Sequence, residues 1–264
     1  MKHTMKNTNS VIICGNISTD VEANGPFLKF NVAVNRYAGG EKTANFFPVE
    51  VYGASLNDDV RSSLTKGHCV YIEGYYKTDE YMDKNGQKQY RDIIVANSIH
   101  TKTKGNFAIA VIRGIMMADP RVRTTPSGKN VTEFRVGAAH NYFSKKTNSW
   151  TNNPAYIYVY AWEPLGEFLA KNFKQDSGIF VVGELVMNQY TAKDGTKRTA
   201  YRVKAVTADF MNDAVDGQTA APAQPAQAAP AAAPAAPAAP TAQPTYGNYT
   251  GDDFADIDDE DLPF

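Results

Sequence analysis

The run Tyr156-Ile157-Tyr158-Val159-Tyr160-Ala161-Trp162 holds the densest binding chemistry in this chain. In an extended strand successive side chains point to opposite faces. Ile157, Val159 and Ala161 therefore share one side, and Tyr156, Tyr158, Tyr160 and Trp162 share the other. The first side reads as a core face. The second is a row of rings, and hydroxyl-bearing rings suit a face that is partly wet. Such a row could pack against a partner subunit or a loop, since aromatic residues favour strands in any case. It could equally stack unpaired bases, because every base has a π-face and stacking does not read base identity.

A stacking face of that kind needs cations along the phosphates. Arg36, Lys42, Lys77, Lys84, Lys88 and Arg91 lie in segments that would flank such a groove, and so do Arg121, Arg123, Lys129, Lys145, Lys146, Lys193, Lys197 and Arg198 further on. Singly, each is an ordinary solvated charge; their shared placement in both halves points to a polyanionic ligand. The overall charge of −1 hides this. From Asp216 onward there are eight acidic residues and no lysine or arginine, which leaves 27 basic and 20 acidic groups, a balance of +7, in the first 215 residues. A basic body ends in an acidic tail.

Other chemistries are poorly supported. His3, His68, His100 and His140 are scattered, and no phosphate-cradling glycine loop, paired catalytic carboxylate motif or metal-ligand spacing is present, so an enzyme is not expected. Cys14 and Cys69 each sit in an apolar run with no nearby second ligand, and read as two buried, reduced thiols. No cofactor or metal is expected. No stretch approaches the roughly 18 consecutive apolar residues of a membrane span, and Met1 to Ser10 lacks the apolar core of a signal peptide, so a cytoplasmic location is expected. Met5 is a second possible start.

The elements that must position the rings come in two sets. Val70 to Tyr90 reads as a hairpin: a strand through Val70, Ile72 and Gly74 into Tyr81, a turn at Asp83-Lys84-Asn85-Gly86, and a return past Tyr90 to Val95. Asn-Gly supplies the positive backbone angles of a tight turn. Phe180 to Tyr201 repeats the plan, with Gly74, Tyr81 and Gly86 answered by Gly183, Tyr190 and Gly195, each 109 residues on. Ahead of the first hairpin come a strand Val11 to Ile17 with a bend at Gly15, a half-buried strand Phe27 to Tyr37, a Gly-rich loop Ala38 to Asn45 and a strand Phe46 to Gly53. Pro48 argues for an edge or a strand start there. A short helix follows, with Ser55 as N-cap, Leu56, Val60 and Leu64 on one face and Gly67 as its stop.

The second set matches: Ala110 to Ile115 around Gly114, Val131 to Ala139, Ala155 to Trp162, and a helix from Pro164 with Leu165, Phe168, Leu169 and Phe173 on one face. Gly15 to Gly114 is an offset of 99 and Phe30 to Phe134 one of 104, so the second copy has gained residues in its loops. Three strands, a helix and two strands are the order of an OB-fold barrel, whose outer face and hairpin loops bind oligonucleotides. The fold class is therefore all-β, with two tandem five-stranded OB-folds at 1–105 and 106–215. An Ala/Pro/Gln-rich linker at 216–245 has too many prolines for a helix and is expected to be an extended, disordered spacer, the start of a disordered C-terminal tail. The acidic tail, 246–264, ends Asp258-Asp259-Glu260-Asp261-Leu262-Pro263-Phe264.

Val70-Tyr71-Ile72-Glu73-Gly74 with Tyr81 and Gly86-Gln87, the preceding Val49-Glu50-Val51-Tyr52-Gly53, and the terminal Leu262-Pro263-Phe264 together resemble the bacterial single-stranded DNA-binding protein family. The resemblance implies sequence-independent binding of single-stranded DNA in replication, recombination and repair. It places base-stacking aromatics at Tyr37, Phe46, Tyr52 and Tyr81, with Tyr190 answering Tyr81. Opposite Tyr52 and Gly53 it sets Ala161 and Trp162, which leaves Tyr142, Phe143, Trp150, Tyr156, Tyr158, Tyr160 and Trp162 as stacking candidates in the second copy. Phosphate contacts are expected from Arg36, Lys84, Lys88 and Arg91 and from Lys193, Lys197 and Arg198. The resemblance also implies a homodimer, and a partner-docking role for the tip from Asp258 to Phe264, where Leu262 and Phe264 offer apolar anchors and the carboxylates can meet a basic rim. The alternatives are an OB-fold that takes RNA, since stacking does not read the 2′-hydroxyl, or one whose aromatic face binds protein.

Overall fold

The computed structural model describes residues 8–38, 41–82, 86, 88–144, 148–191 and 197–211. The first module comprises β1 (Thr8–Ile17), β2 (Glu22–Asn24), β3 (Phe27–Ala38), β4 (Glu41–Tyr52), α1 (Asp58–Ser63), β5 (Cys69–Met82) and β6 (Lys88–His100). The second repeats it as β7 (Phe107–Met116), β8 (Arg121–Thr124), β9 (Asn130–Ser144), β10 (Ser149–Trp162), α2 (Leu165–Asn172), β11 (Gly178–Thr191) and β12 (Lys197–Phe210).

In each module five long strands close on themselves. β1 pairs with β3, β3 with β4, β4 in parallel with β6, β6 with β5, and β5 back with β1. The second ring runs β7, β9, β10, β12, β11 and back to β7, again with its one parallel contact between β10 and β12. This is the OB-fold, twice. Alternation makes the lining: along β4, Asn45, Phe47, Val49 and Val51 are buried, while the residues between them face outward. Each fully buried Val, Ile or Phe of this lining contributes about 1.5–3 kcal/mol.

Two pairs of glycines close both rings in the same way. A Cβ on Gly15 or Gly114 would lie 2.3 Å from the carbonyl oxygen of Ala33 or Gly137, on the neighbouring strand. On Gly74 or Gly183 it would lie 2.2 Å from the carbonyl of Val95 or Lys204, and a bulge precedes each of these two residues. The barrels need the missing side chains to bend there.

The two rings join through their first strands. β1 runs antiparallel to β7 with Val11 opposite Ala110, and the sheet order β5-β1-β7-β11 reads the same from either end when the copies are exchanged. Neither module's sequence signals this pairing.

Several local expectations change. The stretch read as a loop from Ala38 to Asn45 is mostly strand: β3 and β4 pair as far as Ala38 opposite Glu41, because the alternation of Ala44, Asn45 and Phe46 continues the ladder. Of the two readings of Pro48, the strand start fails and the edge holds: Pro48 is inside β4, but the pairing with β6 begins only at Val49, so its missing N–H leaves no ladder bond unmade. The cap of α1 is Asn57, whose side chain accepts from the Val60 amide at 2.8 Å, while Ser55 sits in the preceding turn and bonds the Tyr52 carbonyl. Cys14 is buried, but Cys69 is only half-buried, because it lies on the outward side of β5; both are free, with sulfurs 4.0 Å apart.

Candidate nucleic-acid interface

In the first module the outward positions of β4 are Phe46, Pro48, Glu50 and Tyr52, and two of the four are exposed rings: Phe46 at 42% and Tyr52 at 49%. Phe27 meets Tyr52 edge to face at 5.8 Å and props it. Tyr81, 45% exposed, stands near the end of β5, with the Arg91 guanidinium 5.7 Å from its ring centre. Three exposed rings thus lie on strands of one face, with cations beside them. Arg91 donates to Asp79 at 2.8 and 3.1 Å and lies 3.6 Å from Glu50, which also holds Lys29 at 2.8 Å; Lys88 pairs with Glu80 at 2.8 Å. Arg36 bonds Thr43 across the β3–β4 hairpin. Burial works to raise the Asp79 carboxyl, but hydrogen bonds from Arg91 and Lys77 outweigh it and hold the group below its usual range. Phosphates would compete with these carboxylates for the same cations.

The second module carries the same positions with different residues. Strand pairing puts Val131 opposite Trp162 where the first module has Phe27 opposite Tyr52. Trp162 is therefore the counterpart of Tyr52, and the expected alignment of Ala161 with Tyr52 is off by one. The connection from the fourth strand through the helix to the hairpin glycine, Gly74 or Gly183, is one residue shorter in this copy, 21 against 22, so the hairpin offset of 109 does not extend back into β10. Phe46 answers to Tyr156, Pro48 to Tyr158 and Glu50 to Tyr160.

Tyr156, Tyr158 and Trp162 are half-buried, whereas Tyr160 is 1% exposed. Tyr160 was expected on a stacking face; it packs instead with Val131, Val186 and Trp162 and offers no open face to a base. Val186 stands where the first module has Lys77, so at this place the outer face is apolar and closes on itself. Beside it Glu133, 3% exposed, meets Arg202 at 3.4 Å and Arg123 at 3.5 Å. The Trp162 indole N–H is buried and makes no hydrogen bond among the described residues. Arg135 lies 4.5 Å over the Tyr158 ring and donates to its hydroxyl.

Tyr37 stands opposite Lys42 at the far end of β3, and Tyr142, Phe143 and Trp150 stand at the matching end of β9 and β10, with Trp150 opposite Phe143. Tyr190 pairs with Arg198, and Lys197 with Thr191, at the tip of the β11–β12 hairpin. For these residues the description covers strand position alone. Lys84, Lys193 and the tip from Asp258 to Phe264 lie outside the described residues.

The sequence gives no hint that each module's hairpin reaches the other's fourth strand. The Tyr156 amide donates to Thr78 Oγ1 at 3.3 Å and Asn153 donates to the Tyr75 hydroxyl at 3.1 Å. Tyr75 also stacks on His140 with ring centres 3.9 Å apart, and burial pushes the His140 pKa down, which keeps the ring neutral at pH 7. In the other direction, the Phe46 amide points to Met187 Sδ at 3.5 Å and Tyr201 donates to the Phe46 carbonyl at 2.9 Å. Among the described residues no group of three or more His, Cys, Asp or Glu side chains could hold a metal ion, and no helix is long and apolar enough to cross a membrane.

Residues 8–101 and again 108–211 match the single-strand binding protein family model. A single-stranded DNA-binding protein of Corynebacterium glutamicum is 32% identical over 102 residues, which is 38% of this chain and 45% of that protein. Single-stranded DNA-binding protein 2 of Chlorobaculum tepidum is 34% identical over 103 residues, 39% of this chain and 69% of that protein. The match thus spans under half the length of the Corynebacterium relative. The crystal structure of the single-stranded DNA-binding protein from Thermus aquaticus superposes with a TM-score of 0.61 at 19% identity, covering 81% of this chain and 98% of that one.

Proposed function

The chain belongs to the single-strand binding protein family, and from that premise we propose that it binds single-stranded DNA, without reading sequence, along the outward faces of its two OB-folds. The observation that carries this reading is the set Phe46, Tyr52 and Tyr81, exposed on one face beside Arg91 and Lys88, with Tyr156 and Trp162 at the matching positions of the second module. Bases stack on the rings while Arg91, Lys88 and Arg36 exchange carboxylate and hydroxyl partners for phosphates, which makes binding salt-dependent. Tyr37, Tyr142, Phe143, Trp150, Tyr190, Lys197 and Arg198, on the grounds of strand position, and Lys84 and Lys193, on the grounds of the family resemblance alone, are included in the same proposed site.

The protein coats strands exposed in replication, recombination and repair, and the tip from Asp258 to Phe264 recruits other proteins through its acidic run and terminal apolar residues. It performs no catalysis. The outward side of β5-β1-β7-β11, with Ile12, Tyr71, Phe107, Ile109, Val111 and Phe180 in alternation with buried residues, supports pairing of two chains into a homodimer of four OB-folds. Phe107 and Ile109 are each 38% exposed there.

The test is a fluorescence titration of the whole chain with oligo-thymidine, the matching duplex and oligo-uridine at several salt concentrations. Tight, salt-dependent quenching with the thymidine strand and none with the duplex is expected. Equal quenching with uridine would move the reading to an RNA ligand, and no response to any of the three would make the aromatic face a protein interface.

A further inference from the structure

Resting on that reading of the two grooves, we infer that they are coupled: each module's hairpin anchors the leading aromatic of the other module's groove, so that filling one groove tightens the other. The contacts form a reciprocal clasp. β4 gains its parallel partner only from Val49 and β10 only from Tyr158, which leaves the outer edges of both strands open just before those points. Phe46 and Tyr156 occupy the same register in those open segments, and each turns its amide toward the hairpin of the other copy. Tyr156 donates to Thr78, and the Phe46 amide points to Met187. Thr78 and Met187 are themselves counterparts, 109 residues apart like the hairpin glycines. The second pair of counterparts, Asp92 and Tyr201, completes each half. Asp92 accepts from Thr78 at 3.1 Å, and Tyr201 bonds the Phe46 carbonyl while its ring packs 5.7 Å from Phe47. Asn45 adds an acceptor for the Met187 amide at 3.3 Å. None of these contacts is needed to close either barrel.

A route from ligand to clasp lies in the first module. Arg91 is the cation beside Tyr81, and its guanidinium is held by Asp79, the residue after Thr78. A phosphate that draws Arg91 away, with a base on Tyr81, changes the tether on the strand that presents Thr78 to Tyr156. Ordering of that hairpin by ligand removes an entropic cost from the second groove's own ordering, which gives positive coupling with no large movement.

The chain's two tryptophans, Trp150 and Trp162, both belong to the second module, so tryptophan emission reports the second groove alone. The experiment titrates the full chain with a thymidine oligomer of about eight nucleotides, within the span of one OB-fold. Four proteins are compared in a cycle: native; Tyr52→Ala with Tyr81→Ala, which disables the first groove; Thr78→Val with Tyr201→Phe, which cuts the clasp; and all four changes together. Disabling the first groove should weaken the tryptophan-reported affinity about five-fold in the native background and leave it unchanged once the clasp is cut. Hydrogen exchange at the Tyr156 amide should quicken in Thr78→Val while the circular dichroism stays native. Should Thr78→Val fail to fold, Thr78→Ala, which likewise removes the acceptor of the Tyr156 amide, takes its place in the cycle. Quenching by DNA with an equal effect of the first-groove changes in both backgrounds would overturn the coupling and leave the DNA-binding reading standing. Absence of quenching in the native chain would overturn the second groove as a DNA site and the coupling with it.

Discussion

The two modules agree inside and differ outside. Their barrels close at equivalent glycines, their bulges fall before the same two residues, and their buried positions alternate in the same register. On the outer face Lys29, Glu50 and Lys77 of the first copy give way to Glu133, Tyr160 and Val186 of the second. The first face is a ladder of ion pairs with exposed rings around it. The second is more aromatic, more buried, and places its ion pair Glu133–Arg202 almost wholly out of water. Sterics at a closing glycine leave no alternative, whereas an outer face must only stay compatible with its ligand. Divergence has gone where the barrel tolerates it.

The largest effect that would sharpen this contrast is the loss of rings. Phe46→Ala, Tyr52→Ala and Tyr81→Ala together should cut affinity for oligo-thymidine at least a hundred-fold, since each stacked base is worth about 1–3 kcal/mol. Tyr156→Ala with Trp162→Ala should cost less, because those rings are already half-buried in the protein. Equal losses in a filter-binding assay would break the contrast.

A middle-sized effect concerns stability. Burial raises the Asp92 carboxyl to about 6, against the nearby Tyr76 hydroxyl, the hydrogen bond from Thr78 and the charge of Arg135, which lower it. The folded chain thus holds this proton more tightly than the unfolded chain does, so the group's contribution is present in full below about pH 4 and is lost as pH rises through about 6. Asp92→Asn should raise the stability at pH 7.5 by about 3 kcal/mol and remove that part of the pH dependence, as read by thermal unfolding at pH 5 and 7.5. The counterpart Tyr201 has no such titration in this range, because burial foremost, then the charge of Asp92, push its phenol far up. Tyr201→Phe should leave the pH dependence as it is.

The smallest effect is electrostatic. Arg91→Ala should lower the slope of log affinity against log salt by about one, the share of a single phosphate contact.

Much of the fold was legible before any coordinates. The offset of 109 between the hairpins, the two-residue alternation of β3, β4 and β10, and the strand order led to two OB-folds, because hydrophobic period and turn chemistry are local signals. The exposed rings Phe46, Tyr52 and Tyr81 could likewise be placed from the resemblance. Tyr160 could not, since alternation assigns a side chain to a face and says nothing of what covers that face. The Trp162 register was missed because one residue is lost between β10 and β11, where no motif marks the gap. The clasp was invisible for a different reason: Thr78, Met187 and Tyr201 are ordinary residues in their own strands, and only the β1–β7 pairing brings them to the other copy's edge. A comparison of the two hairpins at an offset of 109 would have shown that Thr78 and Met187 correspond, though not what they touch.

Photocrosslinking of the full chain to a thymidine oligomer carrying bromouracil, with the adducts mapped by mass spectrometry, shows which face of the barrels meets the DNA. Adducts at Phe46, Tyr52, Tyr81, Tyr156 or Trp162 are predicted, with none on Tyr71, Phe107 or Phe180 of the central sheet face. Adducts confined to those three would place the DNA on the face assigned here to the second chain and would contradict the account.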